Sequence, residues 1–283
     1  MPSTMTLLRY PGGKTKLYNY VLNIIQQNNL TGCTYIEPFA GGCGLALKLL
    51  IKGNVSNIVL NDLDISIYSF WYSIFNYTDE FCKLIEITPI TLDERRKNID
   101  VLKNINEHST FEIGFAAFFL NRTNISGILK GGPIGGFNQT GQYKLDARFN
   151  KTTLLEKVRN IAKYKDSVLL TNLDVHEFID NVLPDYEVKN TFINFDPPYV
   201  NKGPSLYLNA FCSQDHIDLS YKISTCDHKW IITYDQCILI SELYKSYYQE
   251  LIKLNYSIGD NKVGTEIVIY SDSLKPQIVI DTV

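Results

Sequence analysis

The sequence predicts an α/β chain, with a doubly wound and mostly parallel sheet that carries an inserted, mainly helical subdomain. Three observations predict it. A strand, a glycine turn, a helix, a second strand and a second helix follow one another within the first 78 residues. The same alternation returns after residue 150. Between 79 and 150 it stops, and charged and apolar helical patterns lead into a long glycine-rich stretch. The expected organisation is one domain made of 1–78 and 151–283, interrupted by a subdomain of about seventy residues at 79–150.

In chain order, Leu17, Tyr20, Val21, Ile24 and Ile25 recur at three-to-four-residue spacing, which predicts an amphipathic helix ending in the polar QQNN. CTYIEPF is a short apolar strand that runs into AGGCG, and LALKLLIKG is a helix closed by Gly53. NIVLND is the next strand, followed by the helical ISIYSFWYSIF. The insert holds a charged helix, TLDERRKNIDVLKNI, an apolar helix, FEIGFAAFFLNRT, and the loop NISGILKGGPIGGFNQTGQYKLDARFN. Beyond it come helix TLLEKVRNIAKY, strand SVLLTN, helix VHEFIDNV, strand TFINFD, a loop, helix QDHIDLSYKIS, strand KWIITYD and a final strand EIVIYS. No internal repeat is visible.

Composition narrows the function classes. With 283 residues, 45% hydrophobic and 20% charged, the chain has ordinary globular composition and can bury a core. Its apolar runs, such as FAAFFL and SVLLTNL, fall short of the eighteen or so residues of a membrane span, so no membrane partner is expected. The start lacks a basic segment followed by an apolar one, so a cytoplasmic protein is expected. The six cysteines form no C-x-x-C pair and the four histidines do not fall at zinc-ligand spacing, so reduced thiols and no metal are expected. A net charge of −3 argues against a protein that coats nucleic acid, although a local basic patch can still hold phosphates.

The stretch LLRYPGGKTKL ends like a phosphate-binding loop at Gly13-Lys14-Thr15, but the glycine that such a loop needs five positions before Gly13 is Leu8, and the few polar residues before it cannot supply a central strand. Three other constellations sit at strand ends. Glu37-Pro38-Phe39-Ala40-Gly41-Gly42-Cys43-Gly44 lets the backbone turn sharply and approach a ligand at the carboxyl edge of the sheet. Gly42-Cys43-Gly44-Leu45-Ala46-Leu47 lacks the last glycine of a dinucleotide fingerprint, which disfavours hydride transfer. Asn61-Asp62 closes the next strand about twenty residues later, where a carboxylate can accept from both ribose hydroxyls. Asp62 and Asp64 both also suit a helix N-cap.

The third constellation, INFDPPYV, is the most specific. Asp196 closes an apolar strand, and Pro197 and Pro198 hold the following backbone in a fixed extended path without N–H groups. The Asp196 carboxylate and the Pro197 carbonyl become rigid acceptors beside the ring of Tyr199. An aromatic amino group is a poor nucleophile because its lone pair is delocalised, and hydrogen bonds to both of its protons return charge to nitrogen.

The order RYPGGK, EPFAGGCG, ND, FFLNRTNISG and DPPY resembles the Dam-like DNA adenine N6-methyltransferases (D12 class, alpha group), which use S-adenosylmethionine; the resemblance runs through nearly the whole chain. It implies a Rossmann-like methyltransferase fold. It implies further that Tyr10 packs near the cofactor and Lys14 meets its carboxylate, and that Glu37, Pro38, Phe39, Gly41, Gly42 and Gly44 cradle its methionine end. Asp62 would bind its ribose and Asp174 would lie near its adenine. Asp196, Pro197, Pro198 and Tyr199 would hold the target adenine, with Asp196 also bordering the cofactor.

The insertion is then the expected reader of double-stranded DNA. Arg122, Lys130, Lys144, Arg148 and Lys151 stand against the single acid Asp146, and Asn121 precedes Arg122. Glycines 127, 131, 132, 135, 136 and 141 would let the loop track a groove. Family members often carry Asn-Gly after the Asn-Arg pair, whereas this chain has Ser126-Gly127 followed by Ile128 and Leu129. The implied reaction is methyl transfer to N6 of an adenine swung out of the duplex at a specific site, without a covalent enzyme intermediate. A cognate restriction endonuclease is compatible with it and not required. Two rivals are a methyltransferase for amino groups of proteins or small molecules, which needs no basic insert, and a DNA-binding module without catalysis, which has no use for Lys14, Asp62 and Asp196.

Overall fold

A computed structural model describes residues 5–9, 14–200, 211–256 and 262–276, with no account of the side chains at 254–256, 262 and 263. Tyr10, expected beside the cofactor, lies outside the described residues.

The strands are β1 (Thr34–Glu37), β2 (Asn57–Asn61), β3 (Val168–Thr171), β4 (Thr191–Phe195), β5 (Lys229–Asp235), β6 (Tyr248–Tyr256) and β7 (Lys262–Tyr270). They form one sheet in the order β3-β2-β1-β4-β5-β7-β6. β1 runs parallel to β2 and β4, and β4 parallel to β5, whereas β7 is antiparallel to both β5 and β6. The central strand β4, TFINF, is buried at every residue, as expected of a parallel strand covered on both faces. Chain order reverses between β1 and β4, so the crevice at their carboxyl ends is the topological switch point where open α/β sheets hold ligands. Glu37 ends β1 and Asp196 follows β4.

The chain divides into two compact units. The sheet unit comprises 14–40, 45–63 and 173–283. In it a 3₁₀ turn (Lys14–Leu17) leads into α1 (Tyr18–Gln27), which buries Val21, Ile24 and Ile25. α2 (Gly44–Ile51) buries Leu45, Ala46, Leu47, Leu49 and Leu50, leaving Lys48 to lie 3.9 Å from the centroid of the Tyr18 ring. It ends at Gly53, whose φ of +69° suits a residue without a Cβ while its N–H reaches Leu50 O. α8 (Val175–Asn181), α9 (Ser213–Ser224) and α10 (Ile238–Leu243) complete the unit.

The helical unit comprises 1–13, 41–44 and 64–172. It holds α3 (Ile65–Asn76), α4 (Thr78–Ile87), α5 (Leu92–Lys103), α6 (Thr110–Thr123) and α7 (Lys151–Ala162), so α3 and α7 pack with it on either side of 79–150. Helix starts are capped from the sequence: Asp64 accepts from Ser66 N, Thr91 from Glu94 N and Asn150 from Thr153 N, while Ser109 and Glu112 make a reciprocal capping box. The core is aromatic. Phe70 stacks on Phe118 with centroids 5.9 Å apart, and Phe81, Phe115, Phe119 and Phe149 surround them. Gly114 lets α6 meet α3, because a Cβ there would stand 2.3 Å from the Ser69 carbonyl. No helix among the described residues is long and apolar enough to cross a membrane.

The sequence pattern after β5 predicts a single strand, and the structure has two, β6 and β7 paired over Tyr248↔Tyr270 to Tyr256↔Lys262. β6 reads YQELIKLNY: it lies at the sheet edge and carries Gln249, Glu250 and Lys253, which break the apolar run that marks a central strand.

Candidate active site

Asp196 leaves β4 at the switch point, and its carboxylate is fixed from two sides. Thr233 Oγ1, on β5, donates to Asp196 Oδ1 at 2.8 Å. Lys14 Nζ lies 3.2 Å from the same oxygen. Among the described residues nothing takes Oδ2, and 23 % of the side-chain surface stays exposed, so one oxygen of a rigidly held carboxylate is open to a donor. Burial pushes the Asp196 carboxyl above its ordinary range and Glu266 adds to this, whereas Lys14 and Thr233 pull it down without cancelling the rise.

Lys14 is the hub of this corner. Its ammonium donates to both oxygens of Glu266, at 3.2 and 3.1 Å, and to the Tyr199 hydroxyl, and it lies 4.7 Å from the centroid of the Tyr199 ring. Burial alone would lower its pKa, but Asp196 and Glu266 hold the group above its ordinary value. One face of the Tyr199 ring thus carries a cation, and the ring also lies 6.2 Å from that of Tyr234. Behind Tyr199, the Val200 N–H donates to Asp235 Oδ1 at 3.0 Å and pins the chain after the two prolines.

At the end of β1, the Glu37 carboxylate accepts from Tyr35 OH at 3.1 Å. Burial pushes its pKa up to about 8; Asp196 adds to the rise, and the bonds from Tyr35, Ala46 N and Asn194 offset part of it. Asn194 lies in β4 two residues before Asp196, and its buried side-chain oxygen has no hydrogen-bond partner among the described residues. Asn61 ties the strand-end loops together. Its amide donates to Pro38 O at 3.1 Å and Leu173 O at 3.0 Å, its side-chain oxygen accepts from Leu173 N at 2.9 Å, and its backbone carbonyl accepts from Ala40 N. The next residue is Asp62, and because Asp64 takes the cap of α3, the capping alternative for Asp62 is already filled. Asp174 caps α8 through His176 N at 2.9 Å, and Phe39 meets Phe211 edge-on at 6.0 Å.

In the helical unit the glycine turn is anchored at its backbone: Trp71 Nε1 donates to Gly41 O at 2.9 Å and Thr6 Oγ1 donates to Gly42 O. Gly41 and Cys43 both have φ of +48°, the left-handed region that tight turns use.

The basic loop is built rather than loose. Arg95, buried in α5, donates to Asn124 Oδ1 and Gly131 O, each at 2.7 Å; Asn124 in turn donates to Ile128 O and Leu129 O. Gln139 bonds Ile134 O, Gly136 O and Leu145 N. Asn121 is buried, and its amide is spent on Arg9 N, Arg9 O and Gly127 O, so it holds the chain instead of facing outward. Arg122 donates to Arg148 O and Leu7 O, and burial, then Arg9 and Arg148, bring its pKa down to about 10. Lys130, Lys144 and Arg148 are exposed, as are Phe137 and Tyr143. Lys151 turns back to Glu86 O and Thr88 O.

The structure thus brings Lys14, Asp196 and Tyr199 together, with Asp196 acting electrostatically on Glu37. Sequence reasoning missed Glu266, Thr233, Asp235, Arg95 and Asn124. Asn61, paired with Asp62 in the sequence, proves to be the joint between loops. Among the described residues no cluster of His, Cys, Asp and Glu could hold a metal ion.

The type II methyltransferase M.MjaIII of Methanocaldococcus jannaschii is 25% identical over 224 residues, covering 75% of this chain and 74% of its own. Among solved structures, a protein of Pyrococcus horikoshii assigned as an RNA methyltransferase covers 95% of this chain and 88% of its own, with 9% identity and a TM-score of 0.43. The rRNA methyltransferase AviRa of Streptomyces viridochromogenes covers 93% and 87%, with 10% identity and a TM-score of 0.36. The family described as D12 class N6 adenine-specific DNA methyltransferase matches residues 10–258. That span contains Lys14, Glu37, Asp62 and the DPPY corner, and the chain belongs to the D12 class of N6 adenine-specific DNA methyltransferases.

Proposed function

We propose that the chain moves the methyl group of S-adenosylmethionine to the exocyclic amino group of an adenine extruded from double-stranded DNA within a specific sequence. The observation that carries this reading is Asp196 at the switch-point end of β4, with Oδ1 locked by Lys14 and Thr233. Oδ2 and the Pro197 carbonyl then accept the two amino protons and raise the electron density on nitrogen. Extrusion costs a few kcal/mol, and Tyr199 and the fixed acceptors offset it by holding the base in one orientation. Charge placement and orientation supply the acceleration, so no thiol takes part in the chemistry.

The residues at the strand ends fit the cofactor. Glu37, Asp62 and Asn194 Oδ1 present acceptors, and such a set suits a group bearing an ammonium and ribose hydroxyls. When bound, the cofactor supplies an electrophilic methyl on a sulfonium. Glu37 would hold the ammonium, Asp62 the ribose, and Pro38, Phe39 and the turn at Gly41, Gly42 and Gly44 the remaining backbone contacts, with Asp174 near the adenine. Lys14 acts on Asp196, Glu266 and Tyr199, the groups its ammonium touches.

For DNA, the insert at 79–150 is the reading subdomain, with Lys130, Lys144 and Arg148 facing phosphates and Arg122 holding the loop close to them. Asn121 serves by fixing Arg9 and Gly127. The exposed Phe137 and Tyr143 add apolar surface of the kind that enters base steps. The decisive experiment is single-molecule sequencing of DNA from a methylation-free host expressing the wild type or Asp196→Ala. N6-methyladenine in one motif with the wild type and none with a folded Asp196→Ala supports the reading; equal methylation by both removes it. A cognate nuclease would cleave the same motif.

A further inference from the structure

The reaction leaves one buried acid without a role. Glu266 sits within β7, on a segment that carries no motif, and it is 0 % exposed. A carboxylate so far from water persists only with a charged partner. Its partner is Lys14: both Glu266 oxygens accept from Nζ, at 3.2 and 3.1 Å. The same ammonium meets Asp196 Oδ1 at 3.2 Å and the Tyr199 hydroxyl. Glu266 also stands opposite Asp235 in the β5–β7 register, and Asp235 pins Val200. β7 therefore reaches the proline corner by two routes, from a part of the chain about seventy residues downstream of it.

We infer that Glu266 is a positioning residue for methyl transfer: it clamps the Lys14 ammonium so that Lys14 fixes the Asp196 carboxylate and the Tyr199 ring where the target amino group meets them. This rests on the role of Asp196 proposed above. A lysine side chain carries four rotatable carbons and a compact charge, so a single contact leaves it several geometries. Two oxygens of one buried carboxylate select one. With Glu266 neutral, Lys14 can turn further onto Asp196 and compete for the oxygens that the amino protons require.

The clamp also sets the proton affinities at the corner. The groups that face Asp196 are Lys14, Glu266 on β7, Thr233 and Tyr234 on β5, and Tyr35 and Glu37 on β1. Glu266 raises both Asp196 and Lys14. Removing its charge lowers both, and the acidic limb of the rate profile, which Asp196 sets, moves to lower pH.

The test is single-turnover methylation of duplex DNA at saturating S-adenosylmethionine, across about pH 5 to 10, by the wild type, Glu266→Gln, Glu266→Asp and Asp196→Ala. The expected result is a rate about 100-fold lower in Glu266→Gln, with the acidic limb displaced downward, and partial recovery in Glu266→Asp, which keeps the charge. Glu266→Gln at the wild-type rate, or less stable but with an unmoved acidic limb and an unchanged rate per folded molecule, overturns the inference. Should Glu266→Gln not fold, the rate of Glu266→Asp decides: a wild-type rate, despite a carboxylate drawn back by one methylene, counts against the clamp. Failure of the Asp196 assignment shows separately, as methylation by Asp196→Ala.

Discussion

Glu37 and Lys14 show how burial changes what a residue type means. Glu37 is legible in the sequence as the acid of a strand-end turn, but its proton is not, because that depends on Tyr35, Asn194 and Asp196 around it. Its folded pKa of about 8 lies above that of an unfolded glutamate, so the folded state holds the proton more tightly. The stability this contributes is complete below the unfolded value and is lost as pH rises through about 8. Thermal unfolding of Glu37→Gln should accordingly show a melting temperature that falls less between about pH 5 and 8.5 than that of the wild type; parallel curves would place the proton elsewhere. Lys14 makes the opposite case. Replacing it with methionine leaves Asp196 and Glu266 facing each other without a cation, and unfolding should show a loss of about 3–5 kcal/mol at neutral pH. The loss should shrink toward acid, where the Asp196 carboxyl, already raised by burial, takes up a proton. The sequence marks Lys14 and Asp196, whereas Glu266 is invisible because its neighbours in space lie far away along the chain and a lone Glu on a strand has no pattern.

At the scale of elements, apolar rhythm carries most of the information. β1, β2, β4 and β5 are apolar strands bounded by turn residues, and the caps of α3, α5, α6 and α7 are side chains of the expected types. Two kinds of feature escape. The edge strand β6 looks polar because it mixes Gln249, Glu250 and Lys253 with its apolar residues, and Glu250 is spent on the Tyr20 and Tyr270 hydroxyls. The loop after α6 looks unstructured because Arg95, Asn124 and Gln139 satisfy backbone carbonyls, which leave no signature in residue type. Glycines mark the tight places. At Gly127 a Cβ would stand 2.1 Å from Arg9 O, and φ is +77°, so Gly127→Ala must displace either the loop or the Arg9 backbone. Gly114→Ala meets the Ser69 carbonyl in the same way and must spread α3 from α6. Both should destabilise by about 1–3 kcal/mol. Hydrogen exchange should separate them: Gly114→Ala raises exchange across α3 and α6, and Gly127→Ala raises it around the loop. Uniform exchange changes in both variants would contradict this local account.

Over the whole molecule the charge balance is wrong for a DNA enzyme unless it is unevenly distributed. The net charge is −3, and a duplex is a dense polyanion, so affinity must come from a region whose local sign is reversed. The helical unit supplies one. Arg9 and Arg122 each have a lowered pKa, first through burial and then through neighbouring arginines, and this second cause reflects cations gathered beside one another. Around them Lys130, Lys144 and Arg148 reach solvent, where a phosphate can displace the counterions. If these exposed cations contact phosphates, each one removed releases one ion fewer. The dependence of log affinity on log salt should then flatten by about 0.9 for Arg148→Ala and again by about 0.9 for Lys130→Ala on the same background. Lys189, exposed on the sheet unit and paired with Glu187 at 3.5 Å, provides the contrast, and Lys189→Ala should leave the slope at the wild-type value. Fluorescence anisotropy on a duplex lacking the target motif isolates this sequence-independent part. A wild-type slope in Arg148→Ala with a reduced one in Lys189→Ala would move the DNA path from the insert to the other unit.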